Sequence, residues 1–367
     1  MTTRRALGLA TLGSALSACS SLAPSSDPMR PPHHRDGGFQ NNDPGFEPKR
    51  LTDVLRWRLD AMRQGLPPRP SSPIPTTAAD LGFIQANAGP AQKPAVTWIG
   101  HATVLAQLGG LSLLTDPIFS ERASPLSFIG PKREQPPGVA LPDLPHIDLV
   151  LVSHNHYDHL DLPSCRALAA QRGGSPLFIV PLGLGAWFQA EGMARVVELD
   201  WWQSHTVQGV QGVEVMLLPA HHWSARGLTD RMQTLWGGFA VFAPNCQLFY
   251  AGDTGYSRDF VRIRERLAER QQPHQGGGFD IALIPIGAYA PRWFMKDQHV
   301  NVEEALRIHT DLGAKRSLGV HWGTFELTDE ALDEPPRELE RLRPLAGLTA
   351  EQFGTLPVGG TWKLAPR

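Results

Sequence analysis

Four apolar segments of the sequence each lead directly into side chains that can bind a metal ion. The segments are DLVLVS at 148–153, VMLLPA at 215–220, LFYAG at 248–252 and SLGV at 317–320. The side chains that follow them are His154, His156, Asp158, His159, His222, Asp253 and His321. Ligand-binding residues of α/β proteins collect at the carboxyl ends of strands, so these seven side chains are predicted to meet at one point.

The spacing within HNHYDH indicates that one turn could serve two metal ions. His154 and His156 are two residues apart, so on an extended segment they face the same side. Asp158 and His159 follow on the turn into the next helix and can face a second position. Imidazoles and carboxylates without a thiolate suit zinc at a catalytic site, with iron or manganese as alternatives.

Two metal-free interpretations of this cluster are weaker. The first is a hydrogen-bonded polar cluster that caps a helix, but three histidines and an aspartate within six residues are costly to bury unless they are paired or bind a metal. The second is a serine nucleophile activated by histidine. Ser153 and Thr254 lie beside candidate ligands, yet no serine lies in a nucleophile elbow. The metal site is therefore the favoured interpretation.

The rest of the chain shows strand and helix patterns that could position these residues. Short apolar and β-branched runs predict strands at 96–99, 103–108, 111–115, 148–153, 177–180, 213–219, 238–243, 247–251, 280–286 and 317–320. Gly109 and Gly110 mark a hairpin turn. Helical patterns occur at 51–64, 161–172, 182–191, 257–270 and 301–312. We expect one mixed α/β domain at 95–362, preceded at 51–94 by a helix and a proline-rich lead-in.

The N-terminus has the features of an export signal. Arg4 and Arg5 precede an apolar run at 6–18, which is shorter than the roughly 20 residues of a membrane span. Residues 1–18 are predicted to be a lipoprotein signal peptide, because LSAC resembles a bacterial lipobox in which Cys19 is lipidated. A plain cleaved signal with an incidental Cys19 is the alternative, and the Sec and twin-arginine export routes both stay open.

Residues 19–50 are rich in Ser, Pro, Asn, Asp and Gly and are predicted to form a disordered tether, with His33 and His34 solvated. These features predict an exported protein of the bacterial cell envelope, anchored by its lipid at the periplasmic face of the outer membrane. The formal net charge is -2 and no basic stripe is present, which argues against a nucleic-acid partner. Cys165 and Cys246 are predicted to be buried free thiols.

The chain resembles the metallo-β-lactamase superfamily in its HxHxDH motif and in the later His222, Asp253 and His321. Within it, the chain is more similar to the phospholipases D that hydrolyse N-acylphosphatidylethanolamine. The matching stretches are TWIGHATVLAQL, LLTDPIFSERASPLSFIGPKR, SHNHYDHLD, ELDWW, YAGDTGY, GAYAPRWFMKDQHV and HWGTF. The resemblance implies the αβ/βα four-layer sandwich of that superfamily, with metals at one edge of two packed sheets.

The resemblance also implies roles for the seven residues. His154, His156 and His222 would bind one zinc ion, and Asp158, His159 and His321 the other. Asp253 would bridge the two ions, and Asp158 and Asp253 are the implied catalytic residues. His222 is preferred to His221 because the family has Gln before the matching His-Trp pair. A metal-bridging hydroxide would attack phosphorus, giving phosphatidic acid and an N-acylethanolamine.

Five further residues are candidates for supporting roles. His101 and Asp116 are expected to orient metal ligands, with a structural role or a turn cap as their alternatives. His299 matches a family position near the substrate, and ordinary polar surface is its alternative. Arg292 and Trp293 could line a head-group or acyl cavity, although aromatic residues more often belong to the core.

The predicted function is a zinc-dependent phosphodiesterase of the phospholipase D type, with a phospholipid substrate and the membrane as its partners. The resemblance also allows a homodimer. One alternative is a related hydrolase that acts on a lactone or another phosphodiester. The other is a non-catalytic lipid-binding lipoprotein. Helix 51–64 could help to dock on lipid, but packing against the domain is the favoured alternative.

Overall fold

The computed structural model describes residues 30–43, 45–46, 48–89, 91–271 and 277–367. The predicted signal peptide at 1–18 and Cys19 lie outside the described residues. Within the described part, no helix combines the length and the apolar character that a membrane span requires. Cys165 and Cys246 are buried free thiols, as predicted.

Two seven-stranded sheets form the centre of the molecule. The first has the spatial order β16-β3-β4-β5-β6-β7-β8. Its strands are β3 (Ala95–Gly100), β4 (Thr103–Leu108), β5 (Leu111–Thr115), β6 (Leu149–Leu151), β7 (Leu177–Pro181), β8 (Val196–Leu199) and β16 (Thr361–Lys363). The second has the order β15-β14-β13-β12-β11-β10-β9. Its strands are β9 (Ser204–Thr206), β10 (Glu214–Leu218), β11 (Gly238–Ala243), β12 (Cys246–Tyr250), β13 (Ile281–Pro285), β14 (Ser317–Val320) and β15 (Phe353–Gly354).

Eight α-helices are present in the described part of the chain. They are α1 (Leu51–Gln64), α2 (Leu81–Ala86), α3 (Leu162–Ala169), α4 (Gly185–Ala190), α5 (Asp259–Arg266), α6 (Arg292–Met295), α7 (Val302–Leu312) and α8 (Glu334–Leu342). Short 3-10 turns occur at Leu141–Asp143, Ala268–Gln271 and Pro344–Ala346. Helices α2, α6 and α8 and strands β8, β9, β15 and β16 were not predicted from the sequence, because most of them are too short to show a clear period.

Alternation along the strands explains the layers. In β4, Val104 and Ala106 belong to the core shared with the second sheet, whereas Leu105 belongs to a separate core under α3 and α4. Successive side chains of a strand point to opposite faces, so each sheet is covered on both sides. On the outer face of the second sheet, α5 and α7 pack through residues such as Phe260 and Ile308. The predicted αβ/βα four-layer sandwich is confirmed.

Local sequence signals account for two well-defined features. The β4–β5 hairpin turns at Gly109 and Gly110, which have φ angles of 63° and 84° that favour glycine. Helix α7 begins after Asn301, whose side chain accepts from the Glu304 backbone N–H, while the Glu304 carboxylate accepts from Asn301 N–H. This reciprocal capping box fixes where the helix begins.

Helix α1 matches the predicted range and packs against the domain. Trp57 and Ala61 are buried, and Trp57 belongs to a small apolar cluster with Phe294 and Met295. The indole N–H of Trp57 donates to the Asp329 carboxylate over 2.8 Å. The opposite face is apolar and exposed, and its members are Leu51, Leu55, Leu59 and Met62.

The disordered tether predicted for 19–50 is wrong for residues 33–41, and so is the solvated state predicted for His33 and His34. These residues include the hairpin of β1 (His34–Arg35) and β2 (Gly38–Phe39). The His33 ring is buried and stacks on Trp201 at 4.3 Å between ring centroids. The partners that order this segment lie more than a hundred residues away along the chain, where local composition cannot reveal them.

Candidate metal centre

Parallel strands carry the candidate ligands to one edge of the sandwich. The ligand turn at 154–159 follows β6 of the first sheet, whereas Asp253 and His321 follow the parallel strands β12 and β14 of the second. His222 follows β10, which pairs with β11. The two sheets therefore contribute ligands from opposite sides of one cleft.

All seven predicted residues come together there, in two groups. In the first group, His154 Nε2 lies 2.8 Å from His156 Nδ1, which lies 3.3 Å from His222 Nε2. In the second group, His321 Nε2 lies 3.4 Å from Asp158 Oδ2 and 3.1 Å from His159 Nε2.

Asp253 lies between these groups and contacts both. Its Oδ2 is 3.0 Å from His159 Nε2 and 3.9 Å from both His154 Nε2 and His222 Nε2. Its Oδ1 is buried and lies 3.2 Å from His321 Nε2 of the second group. One carboxylate therefore has access to both groups of ligand atoms.

The tautomers show that these side chains fit a cation. His222 Nδ1 lies 2.8 Å from the Gln298 carbonyl oxygen, so it carries the proton and Nε2 keeps its lone pair. Ser153 Oγ donates to Asp116 and accepts from His154 Nδ1–H at 2.9 Å, so His154 Nε2 also keeps a lone pair. Both of these nitrogens point toward His156, and ligand nitrogens that keep their lone pairs and converge on one place can bind a metal ion.

Electrostatics favour the same conclusion. Burial, reinforced by neighbouring imidazoles, holds the pKa of both His154 and His156 well below the usual value. Burial also lowers the pKa of His222 to about 4, so all three imidazoles of the first group are neutral, as ligation requires. In the second group, burial opposes the proton, yet Asp253 and Asp158 raise the pKa of His321 to about 9. That half of the site thus has a negative potential that attracts a cation.

Asp116 is the hub that orients ligands from both groups. Its carboxylate accepts hydrogen bonds from His159 Nδ1–H, Ser153 Oγ and the Tyr250 hydroxyl, each over 2.5 Å, and from Ser153 N–H over 2.7 Å. The bond to His159 Nδ1 turns Nε2 of that ring toward the centre. Asp116 therefore has the contacts of the orienting residue that the sequence analysis expected.

His101 has the second orienting position. Its Nε2 lies 3.0 Å from Asp158 Oδ2, and burial lowers the pKa of His101 to about 3, so the neutral ring donates to the carboxylate. The backbone of His101 is left-handed, with φ of 53°, and is fixed by bonds to the Thr324 hydroxyl and to His321 N–H. Asp158 is thereby aimed at the second group.

The three predicted substrate contacts have different surroundings. His299 is close to the centre: its Nδ1 is buried 3.9 Å from Asp253 Oδ2 and has no hydrogen-bond partner within the described ranges. Arg292 instead donates to the His299 carbonyl over 2.8 Å and to Glu304 over 2.8 Å. Trp293 is half-exposed beside Arg56 and does not reach the ligand cluster.

A cavity of about 510 Å³ opens beside the ligand turn. Its lining includes Tyr157, Trp187 and Arg226. The Arg226 guanidinium stacks on the Tyr157 ring and donates to the carbonyl groups of Asn155 and Leu160. Arg226 therefore holds the backbone of the ligand turn while it faces the cavity.

Sequence reasoning missed several residues that shape the centre. Ser153 was noted only as a neighbour of the ligands, although its position before HxHxDH made an orienting role accessible. Tyr250 could have been found as the last residue of the strand before the Asp253 loop. Asn41 and Gln298 gave no local signal, because each contacts His222 across a long stretch of chain.

Comparisons with known proteins agree with this geometry. The sequence pattern described as the Beta-lactamase superfamily domain matches residues 112–322. The chain is 41% identical over 280 residues to a Caenorhabditis elegans protein named N-acyl-phosphatidylethanolamine-hydrolyzing phospholipase D 1, which covers 74% of this chain and 76% of that protein. It is 41% identical over 254 residues to the Saccharomyces cerevisiae mitochondrial protein of the same activity name, which covers 68% of this chain and 52% of that protein.

A comparison of structures supports the fold. A possible metal-dependent hydrolase from Veillonella parvula superimposes with a TM-score of 0.57 at 15% sequence identity. The superposition covers 74% of this chain and 100% of the Veillonella parvula chain. At this level of identity the likeness concerns the arrangement of the two sheets and their helices.

Proposed function

Since the chain belongs to the beta-lactamase superfamily and is a metal-dependent hydrolase of that fold, we propose that it is a phosphodiesterase of the phospholipase D type. Its proposed reaction joins water to N-acylphosphatidylethanolamine and releases phosphatidic acid and N-acylethanolamine. The observation that carries the proposal is the convergence of seven imidazole and carboxylate side chains in a chain 41% identical to proteins named for this activity.

The proposed cofactor is a pair of zinc ions, with iron or manganese as the alternatives. His154, His156 and His222 would hold one ion, and Asp158, His159 and His321 the other, with Asp253 shared between them. Such a pair supplies a nucleophilic water at neutral pH and stabilises negative charge on phosphoryl oxygens.

The chain's own residues supply orientation and proton handling. Asp158, held by His101, can accept a hydrogen bond from the attacking water while it serves as a ligand. Asp253 reaches both groups and fixes their separation. His299 presents a neutral imidazole to the same space, because burial lowers its pKa to about 3. We assign His299 to contact with the substrate head group, as a hydrogen-bond partner rather than as an acid.

The proposed location is the bacterial cell envelope, with the protein anchored to the membrane through lipidated Cys19. A phospholipid substrate supports this proposal, since an anchored enzyme meets its substrate in the plane of the bilayer. A Cys19→Ala variant is expected to move from the membrane fraction to the soluble fraction on cell fractionation. A variant that stays with the membrane would remove the anchor from the proposal. A homodimer stays a prediction, and we propose no nucleic-acid partner.

Hydrolysis of defined vesicles tests the proposed reaction. Vesicles of N-acylphosphatidylethanolamine and of ordinary phosphatidylethanolamine are incubated with the protein in water labelled with oxygen-18. Attack on phosphorus places the label in phosphatidic acid, whereas attack on carbon places it in N-acylethanolamine. We expect labelled phosphatidic acid only, from the N-acylated lipid, and about two zinc ions per chain by metal analysis.

Two variants complete that experiment. His156→Ala removes a ligand and is expected to abolish turnover, while the exposed His146→Ala serves as a matched control that keeps it. Cleavage of a lactone or another phosphodiester in place of the lipid would favour the related-hydrolase alternative. A metal-loaded protein that binds vesicles but hydrolyses no phosphodiester would favour the non-catalytic lipoprotein.

A further inference from the structure

We infer that residues 33–41, here called the N-terminal clamp, support the metal centre from outside, and that Asn41 is the positioning residue for His222. This inference rests on the proposed metal centre, because its consequence is a change in metal binding. The N-terminal clamp precedes the domain at 95–362 in sequence by more than fifty residues, yet it contacts His222, the one candidate ligand of the first group that lies outside the HxHxDH turn.

Asn41 forms a two-bond pair with the backbone of His222. Its Nδ2 donates to the His222 carbonyl over 2.9 Å, and its Oδ1 accepts from His222 N–H over 3.0 Å. Oδ1 also accepts from the Trp236 indole over 3.1 Å, which fixes which end of the amide is oxygen. Asn41 is buried, so these bonds do not compete with bulk water.

These bonds matter because His222 lies beyond the end of β10, and the isolated bridge between His221 and Gly255 stops one residue before it. The His222 ring is oriented by one bond, from Nδ1 to the Gln298 carbonyl. Asn41 supplies the bonds to both main-chain groups of the same residue. Groups that orient a metal ligand typically contribute about 10- to 100-fold to metal affinity. Asn41 therefore holds one ligand of the first group in register with the other two.

The other end of the N-terminal clamp is fastened to the domain by Asp200. His33 Nε2 lies 2.6 Å from Asp200 Oδ1, and His34 Nε2 lies 2.8 Å from Oδ2. Phe39 N–H donates to the Met232 carbonyl between the two ends. The imidazoles take one carboxylate oxygen each at hydrogen-bond distance. We therefore interpret this trio as a fastening rather than as a third metal position.

Asn42 provides a matched control for Asn41. It is the next residue, has the same side chain, and donates a bond of 2.9 Å from Nδ2 to Asp259 Oδ1, away from the ligands. The full mature chain is prepared as wild type, Asn41→Ala and Asn42→Ala. Zinc affinity is measured by competition with a chelator, and the visible spectrum is recorded after cobalt replaces zinc. We expect Asn41→Ala to bind one of its two ions about 10-fold more weakly and to show an altered cobalt spectrum, with Asn42→Ala like wild type.

A milder variant covers the case in which Asn41→Ala does not fold. Asn41→Asp keeps the size of the side chain and the acceptor for His222 N–H and Trp236, and burial against the His222 carbonyl favours the protonated carboxyl, whose O–H can donate in place of Nδ2. It is expected to lose less affinity than Asn41→Ala and to shift the same cobalt bands. Equal affinities and spectra for the Asn41 and Asn42 variants would overturn the inference while leaving the centre in place.

Two further outcomes separate this inference from its premise. A wild-type protein that binds no divalent ion would remove the metal centre itself, whatever Asn41 does. A third ion per chain, lost selectively in His34→Ala, would overturn the fastening role and make the His33, His34 and Asp200 trio a metal site. Two ions per chain in both His34→Ala and wild type support the fastening.

Discussion

Buried histidines occur in two kinds of surroundings in this molecule, and the contrast shows what distinguishes a ligand from a structural residue. At the sandwich edge, ring nitrogens of different histidines face one another at 2.8 to 3.3 Å. Elsewhere, His33 and His34 face Asp200, and His309 faces the Ser317 hydroxyl at 2.7 Å. Burial and clustering are common to both regions, so neither property identifies a ligand. The identity of the facing atom does, because ring nitrogens that converge on one another can share a bound cation, whereas ring nitrogens that face an oxygen are already hydrogen-bonded.

Loss of the Asp253 carboxylate, which both ligand groups share, should produce the largest effect on turnover. Substitutions of carboxylates away from the sandwich edge should not have this effect. Asp253→Asn removes the negative charge that both ligand groups share, and we expect kcat to fall by about 1,000-fold or more, equivalent to about 4 kcal/mol. The measurement is steady-state hydrolysis of N-acylated phospholipid vesicles. Asp280→Asn is the control. Asp280 pairs with Lys315 and Arg367, and it lies just before β13 begins, at the edge of the sheet opposite to the candidate ligands. A similar loss in both variants would contradict the assignment.

Removal of metal should affect the histidines at the sandwich edge and leave the other buried histidines unchanged, so one sample can distinguish the two regions. A ligand that binds only the folded state stabilises it by about 4 kcal/mol at a free concentration of about 1,000 times Kd. We therefore expect chelation to lower the free energy of unfolding by a comparable amount, and added zinc to restore it. Ring signals of His154 and His222 in NMR spectra should shift, whereas those of His33, His34 and His309 should not. Shifts at all of them would show that the distinction fails.

Substitution of Asp116 should have a smaller effect, a loss of zinc affinity that involves both ligand groups. Asp116→Asn weakens the acceptor for His159 Nδ1–H and for Ser153 Oγ, so we expect zinc affinity to fall by about 10- to 100-fold. Competition with a chelator measures this change. Tyr250→Phe removes one of the donors to Asp116 and keeps the carboxylate, and it should lose less affinity. An unchanged zinc affinity in Asp116→Asn would show that Asp116 does not orient the metal ligands.

The smallest effect concerns a histidine that binds no metal. Burial lowers the pKa of His309 from 6.5 to about 4, so the unfolded chain takes up a proton there at a higher pH than the folded protein. The stability contributed by neutral His309 is therefore present above pH 6.5 and decreases as the pH falls toward 4. In metal-free protein, we expect wild type to lose about 1 to 2 kcal/mol more than His309→Gln between about pH 7.5 and about pH 5.

Denaturant unfolding of both proteins at the two pH values checks this prediction. Parallel pH dependence of wild type and His309→Gln would show that the pKa of His309 is not depressed. It would also weaken the contrast between the regions, since His309 represents the histidines that are buried with a neutral partner.

The sequence was most informative where neighbouring residues in the chain act together. HxHxDH places four ligand candidates on one turn, and the capping residue Asn301 marks the beginning of α7, so short-range spacing was enough for both. The later His222, Asp253 and His321 were accessible because each follows a recognisable strand. The fold class followed from the same strands together with the family resemblance.

Prediction failed where distant residues meet. Composition at 19–50 suggested a tether, since the Asp200 and His222 partners of His33 and Asn41 are 167 and 181 residues away. Such pairings depend on the tertiary fold, and no local period or spacing records them.

The division of the ligands between the two sheets has a mechanical consequence. Cations held at the sandwich edge would cross-link the halves of the molecule, because each sheet supplies part of the ligand set. The halves should then separate more readily in metal-free protein, and protease cleavage would begin in the loops around residues 154–159 and 253–256. Metal supply would in this way control the lifetime of the protein as well as its chemistry.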